Sequence, residues 1–191
     1  MHITINNPVF NFHTAQPAMA SALFASLLRD GEDEPSATEG PTNRPSIGEY
    51  WAGQGGIYAG DFQGDDGVPF GLIVAAEQDV GRARWAPDGE RELSDWDGLE
   101  NTKRIRKECP AADLAAKYER DGHSDFYLPA RRELNFAGAT LHSTFGKDSW
   151  YWTSTPYSES YAWAVDFGIG ATDCRYRSSE YRVRPFRRFI Y

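Results

Sequence analysis

Between Tyr161 and Phe167 the chain reads Tyr-Ala-Trp-Ala-Val-Asp-Phe, with a large apolar or aromatic side chain at every second position. Successive side chains of an extended strand point to opposite faces, so Tyr161, Trp163, Val165 and Phe167 share one face. On either side stand Trp150-Tyr151-Trp152-Thr153-Ser154-Thr155 and Arg182-Val183-Arg184-Pro185-Phe186-Arg187-Arg188-Phe189. The 18 glycines and 11 prolines suit short strands and long loops better than a helical bundle. The expectation is a sheet that displays an aperiodic, polar stretch, residues 168–180.

Upstream, residues 2–12 alternate as a strand that Pro8 sends to an edge or breaks in two. Pro17 near the start, then Ala20, Leu23, Phe24, Leu27 and Leu28 at helical spacing, predict a helix that Gly31 stops. So short an apolar face cannot make a core, and residues 1–31 are expected to be an attachment or oligomerisation segment. Residues 32–46 hold three prolines and four acids, a composition for an exposed linker. A domain is then expected over 47–191. Its strands begin around Gly55–Gly60 and Phe70–Ala76, separated by an exposed turn, and Trp85 and Trp96 pin the loop over 82–99. A helical stretch over 101–120, interrupted at Pro110, precedes a second short helix over 130–139. Strands, two helices, then strands indicate an α+β domain.

The formal charge of −8 argues against a general nucleic-acid binder. Arginines 175, 177, 182, 184, 187 and 188 either form a local basic patch or pair with carboxylates inside the fold, the simpler reading. Cys109 and Cys174 are too few and too distant in sequence for a disulfide framework or a zinc site, and default to free thiols. Asp61, Asp65 and Asp66 lack the spacing of a calcium loop and read as a solvated turn. No stretch approaches the ~20 apolar residues of a membrane span, and the N-terminus lacks the pattern of a signal peptide.

Four blocks, in order, resemble the Lcl C-terminal family, a domain of unknown function. They are Gly55-Gly56-Ile57-Tyr58 with Gly71–Ala76; Gly122-His123-Ser124-Asp125-Phe126-Tyr127-Leu128-Pro129 with Arg132-Glu133-Leu134; Tyr151–Thr155 with Ala162-Trp163; and Tyr181-Arg182-Val183-Arg184-Pro185. The resemblance covers roughly residues 47–189. It implies a C-type-lectin-like fold, short twisted antiparallel strands with two helices, behind the N-terminal strand/helix anchor. It also implies a binding module like the displayed tips of some adhesins and phage tail proteins. Ala130 stands where the family often has Ser, which removes a helix-capping side chain worth about 1 kcal/mol unless another group substitutes. The triplets of calcium-dependent sugar lectins are absent.

No enzyme motif emerges. His2, His13, His123 and His142 lack metal-ligand spacing, and there is no nucleophile elbow or phosphate loop. His123 beside Asp125 reads more simply as a hydrogen-bonded corner than as a base and its orienter. The family blocks imply that Tyr151, Trp152, Ala162, Trp163, Arg182, Val183 and Arg184 are scaffold. The expected recognition residues lie in the loops between: Tyr157, Ser158, Glu159, Ser160, Asp173, Arg175, Arg177, Ser179 and Glu180. Tyr, Ser and Arg give contact area, adaptable hydrogen bonds and charge with stacking. The resemblance, together with an apolar N-terminal segment that must dock elsewhere and no signal-peptide pattern, implies a non-enzymatic phage virion or tail-tip protein, assembled in the host cytoplasm. It would recognise a host cell-surface protein or glycan, with no cofactor, metal, nucleic acid or membrane insertion. Residues 1–31 would join other virion proteins in a homo-oligomer. Cell-surface display, a decoration protein without receptor, and a formylglycine-generating type of enzyme are the alternatives.

Overall fold

Among the described residues, the glycine turns and alternating runs of the sequence become nine short strands in two sheets, joined by three helices. The computed structural model describes residues 44–86 and 88–191. The expected attachment segment 1–31, and the linker as far as residue 43, lie outside the described residues. Arg44 already belongs to the domain: it pairs with Asp61 at 2.6 Å and stacks over Tyr191 at 4.4 Å.

The first sheet has the order β1-β2-β3-β9, from Tyr50–Trp51, Gly56–Gln63, Pro69–Val74 and Phe186–Phe189. Its last strand comes from the far end of the chain, with Gly71 opposite Phe189 and Val74 opposite Phe186. The second sheet is β4-β8-β5-β6-β7, from Arg82–Ala83, Tyr181–Arg182, Tyr151–Pro156, Tyr161–Asp166 and Ala171–Tyr176. Pairing is antiparallel throughout except between β5 and β8. The helices are α1 (Gly98–Ile105), α2 (Pro110–Ala116) and α3 (Arg131–Thr140). The expected interruption at Pro110 is complete, so the domain has three helices rather than two among the described residues. Pro110 opens α2, where its missing N–H costs nothing, and the Cys109 sulfur accepts from the Ala112 amide. The α+β class stands.

The main departure is β7. Residues 168–180 were expected to be loop, yet six of them pair with β6 from Tyr161–Tyr176 to Asp166–Ala171. This edge strand buries neither face, so nothing imposes an apolar period and its polar sequence gave no signal. Neither of its faces is closed to solvent: Thr172 donates to Asn135 of α3 on one, and Arg175 stacks 3.7 Å from Trp150 on the other.

Two apolar clusters hold the layers together. One joins Leu72, Tyr127, Leu134, Tyr151, Phe167 and Phe186 beneath α3; the other joins Trp85, Ile105, Leu128, Trp152, Ala162 and Val183. Trp85 and Trp152 are fully enclosed and donate to the Thr153 and Ala83 carbonyls, as the polar tip of a buried indole requires. Trp96 packs against the first cluster.

The C-terminal arginines point inward, so the basic-patch alternative fails for them. Arg187 pairs with Asp125, Arg188 with Asp97 and Glu133, and Arg182 with Asp79 and Asp148. Arg184 is 1% exposed and donates to the Ala75 and Thr144 carbonyls. Glu133, wholly buried, also accepts from the Ala130 and Gly98 amides and the Tyr127 hydroxyl. One carboxylate thus ties β9 to the starts of α1 and α3. The missing cap at Ala130 is made good from elsewhere: Arg131 N–H donates to Thr155 Oγ1 at 3.0 Å and Arg132 N–H to the Asp95 carbonyl.

Candidate functional site

The alternation along β6 sorts its two faces unequally. Ala162 and Ala164 are fully buried against the second cluster, small enough for close packing beside Trp152. Tyr161, Trp163 and Val165 occupy the other face. Over that face α3 covers Val165 and Phe167, with Leu134 and Ala137 above them. Gly138 lies so close that a Cβ there would come within 2.5 Å of the Phe167 ring. The helix begins at Arg131, whose guanidinium stacks 4.5 Å from the Trp163 ring centre, and beyond that the face is open.

Four aromatic rings occupy the open part. Tyr157 meets Trp163 edge to face at 5.1 Å, and Tyr161 lies 4.4 Å from Tyr176 of β7. Because Tyr161 and Trp163 are two residues apart on one strand, the two pairs are neighbours on one surface. Tyr157 is 57% and Tyr176 58% exposed. Contact with the Tyr176 hydroxyl pushes the Tyr161 phenol up to about 12. Cys174, opposite Trp163 in the register, brings a half-buried free thiol to the same face.

Beside Trp163 runs a groove of about 790 Å³, with Glu90–Leu93 and Asp95 on one wall and Thr155–Glu159 on the other. The sequence builds it through a bulge. Strand β5 carries three residues, Thr153, Ser154 and Thr155, where β6 has only Trp163, and their side chains are buried. Thr155 Oγ1 donates to the Ser94 carbonyl, Ser154 Oγ accepts from Asn101, and Asn101 holds Ser94 from α1. The outer ends of the walls meet where the Gly89 amide donates to the Glu159 carbonyl at 3.0 Å. Arg131 is fixed by Asp95, with Nε 3.1 Å from Oδ1, and Arg91 by Glu108 at 2.8 Å. Glu90, Glu92 and Glu159 are exposed and have no ion-pair partner among the described residues.

The residues expected to form one recognition surface fall into three groups and one inward-turned residue, Arg177. Tyr157, Ser158 and Glu159 line the groove, and Ser160 adjoins them, its carbonyl taking the Arg177 amide. Asp173 and Arg175 stand opposite Ala164 and Ala162 and so point to the other side of the sheet. There Asp173 accepts the Cys174 amide and Arg175 donates to the Cys174 carbonyl. These are the strand-edge groups that would otherwise face outward unpaired, so the two side chains close the edge. Bonding from that amide, then from Arg175, holds the Asp173 carboxyl below its ordinary range. Ser179 and Glu180 lie in the turn before β8.

Arg177 is the clear correction. It is 1% exposed and donates to the Gly89, Ser158 and Tyr161 carbonyls while stacking over Trp85. It clamps both groove walls from within and borders a separate hollow, with Arg84, Asp88 and Glu108, rather than the groove. Trp163, a scaffold residue by the family resemblance, is on the groove, and Tyr161 and Tyr176 adjoin it. The available signal was the pair of alanines, which mark the closely packed face and leave Tyr161 and Trp163 on the opposite one. The acidic wall 90–95 gave no sequence signal.

Cys109 and His123 occupy structural positions. Cys109 is 1% exposed, and desolvation pushes its thiol up to about 12. His123 Nε2 sits 2.9 Å from the Gly53 carbonyl, and Asp125 is engaged by Arg187. Among the described residues no group of three or more His, Cys, Asp or Glu is placed to hold a metal, and no helix is long and apolar enough to cross a membrane. The chain matches no protein-family model, and no curated protein matches it.

Proposed function

We propose that this domain works by binding, presenting the open aromatic face of its second sheet and the adjoining groove to a cell-surface receptor. The observation that carries the proposal is the juxtaposition of Tyr157, Tyr161, Trp163 and Tyr176 on a face that α3 stops short of covering. Tyr and Trp offer large rigid contact area with few rotatable bonds to freeze on association. The frame beneath them is fixed by the Arg177 clamp and the Thr155–Ser94 bond, so little conformational freedom would be lost on binding.

The resemblance to the Lcl C-terminal family favours a C-type-lectin-like arrangement and a place at a phage virion or tail tip. Residues 1–31 would then attach the domain to other virion proteins and to further copies of itself. A buried thiol pushed up to about 12 is a poor nucleophile, which weighs against the formylglycine-generating alternative.

The test is adsorption of labelled full-length protein to a panel of intact, protease-treated and polysaccharide-stripped bacterial cells. Tyr157→Ala combined with Tyr176→Ala should lower adsorption at least ~10-fold, as expected for truncated aromatic anchors, with an unchanged melting temperature. Undiminished adsorption by this variant would remove the aromatic face from the function.

A further inference from the structure

We propose that the groove accepts a basic segment of a partner protein, with an arginine or lysine side chain laid on Tyr157 and Trp163 between the carboxylates of Glu90, Glu92 and Glu159. The inference rests on the binding role proposed above and supplies the chemistry of the ligand.

The inner end of the groove already contains one complete example of such an arrangement. There the Arg131 guanidinium lies 4.5 Å from the Trp163 ring centre and is held at its edge by the Asp95 carboxylate. Cation, ring and carboxylate each satisfy the others, since a guanidinium stacks on an aromatic face while its N–H groups reach an acid. Farther out, the ring and the acids recur without the cation. Tyr157 is exposed beside Trp163, and the groove walls carry Glu90, Glu92 and Glu159. The Gly89–Glu159 bond holds those walls together, so the carboxylates flank one channel.

Arg177 acts on Glu159 through its charge from behind the wall, with its N–H groups on the Gly89 and Ser158 carbonyls, and the two cations at the groove pair elsewhere. Arg91 is spent on Glu108 and Arg131 on Asp95, which leaves three carboxylates without an ion pair among the described residues. The acids alone would be only a solvated rim. Set along a cavity floored by aromatic rings, they select a cation carried on an apolar stem, which is what lysine and arginine offer. The negative potential of the channel would also speed encounter with a basic partner and repel an anionic one. The groove is open at the surface, which suits an extended polypeptide.

A blocked peptide of four Arg-Gly repeats, its citrulline counterpart and a glucosamine tetramer would be titrated into full-length protein, followed by tryptophan fluorescence and calorimetry at low salt. The arginine peptide should bind at least ~10-fold more tightly than the citrulline peptide, which keeps the shape and loses the charge. Combining Glu90→Gln, Glu92→Gln and Glu159→Gln should weaken it about tenfold, three exposed ion pairs being lost. All three positions are exposed, and an unchanged melting temperature would show the variant is folded.

Equal binding of the citrulline peptide, or undiminished binding by the triple variant, would overturn the proposal. So would binding of the glucosamine tetramer without the peptide. If cell adsorption depends on Tyr157 and Tyr176 while the arginine peptide fails to bind, the ligand class is wrong and the site stands. If adsorption ignores those tyrosines, the binding role falls and this inference with it.

Discussion

On β6, Val165 and the following Phe167 lie beneath α3, whereas Tyr161 and Trp163 share that face but lie beyond the first turn of the helix. The covered half is dry: Phe167 is 3% exposed and stacks on Phe145 at 4.0 Å. The open half ends in two tyrosines that are each more than half exposed. Both halves are apolar and aromatic and both follow the same period. What separates their roles is where α3 begins, and that is set by Thr155 and Glu133 at its first turn. An aromatic strand therefore states that something packs on it; the helix boundary decides whether the partner is internal.

The contrast is broken most severely by removing the groove clamp or the covered ring. Arg177→Ala leaves three carbonyls without their buried donor and should cost about 3 kcal/mol or more in urea unfolding. Phe167→Ala should cost about 3–5 kcal/mol, the range for a large buried aromatic. Tyr176→Ala, on the open half, should stay within about 0.5 kcal/mol of the parent. Comparable losses at Phe167 and Tyr176 would erase the distinction between the halves.

A smaller effect tests the junction that sets the helix start. A Cβ at Gly98 would fall 2.5 Å from the Ala130 amide nitrogen and 2.7 Å from the Leu128 carbonyl. Backbone cannot swing aside as a side chain can, so Gly98→Ala should cost about 1–3 kcal/mol in the same unfolding measurement.

The two thiols report the contrast without any substitution. Cys174, half-buried on the open face, should react with iodoacetamide in the native protein. Cys109, enclosed and pushed up to about 12, should react only on unfolding, which peptide mass mapping would resolve.

The edge of β7 gives the smallest effect. Replacing both Asp173 and Arg175 by Ala should raise self-association in sedimentation velocity, because the Cys174 amide and carbonyl become free to pair with another strand. Acid should act in the same direction. The Asp173 carboxyl is held below its ordinary value of 3.8, so its cap is in place above that pH and is lost as pH falls through the depressed value.

Alternation, glycine turns and the Pro110 break located most strands and helices in the sequence, because each reflects local geometry. The sequence did not reveal β7, whose polar residues follow no period at an edge. Nor did it reveal that Arg177 turns inward, since the carbonyls it serves come from Gly89, Ser158 and Tyr161, of which Gly89 lies far away in sequence. Part of the candidate site was legible: Tyr157, Ser158 and Glu159 were chosen as loop residues and do line the groove. Its other wall was not, because Glu90 and Glu92 acquire meaning only when the Thr155–Ser94 and Gly89–Glu159 bonds bring them across.

Blocking the open face by chemistry alone tests the central claim most directly. A bulky maleimide on Cys174 of the full-length protein would be compared with the same label at position 124 of a variant carrying Cys174→Ser and Ser124→Cys, Ser124 lying in the exposed turn beside Gly122. Label on the aromatic face should abolish adsorption to cells that bind the unlabelled protein, while label at position 124 should leave it intact. Full adsorption with Cys174 labelled would contradict the assignment of this face to recognition.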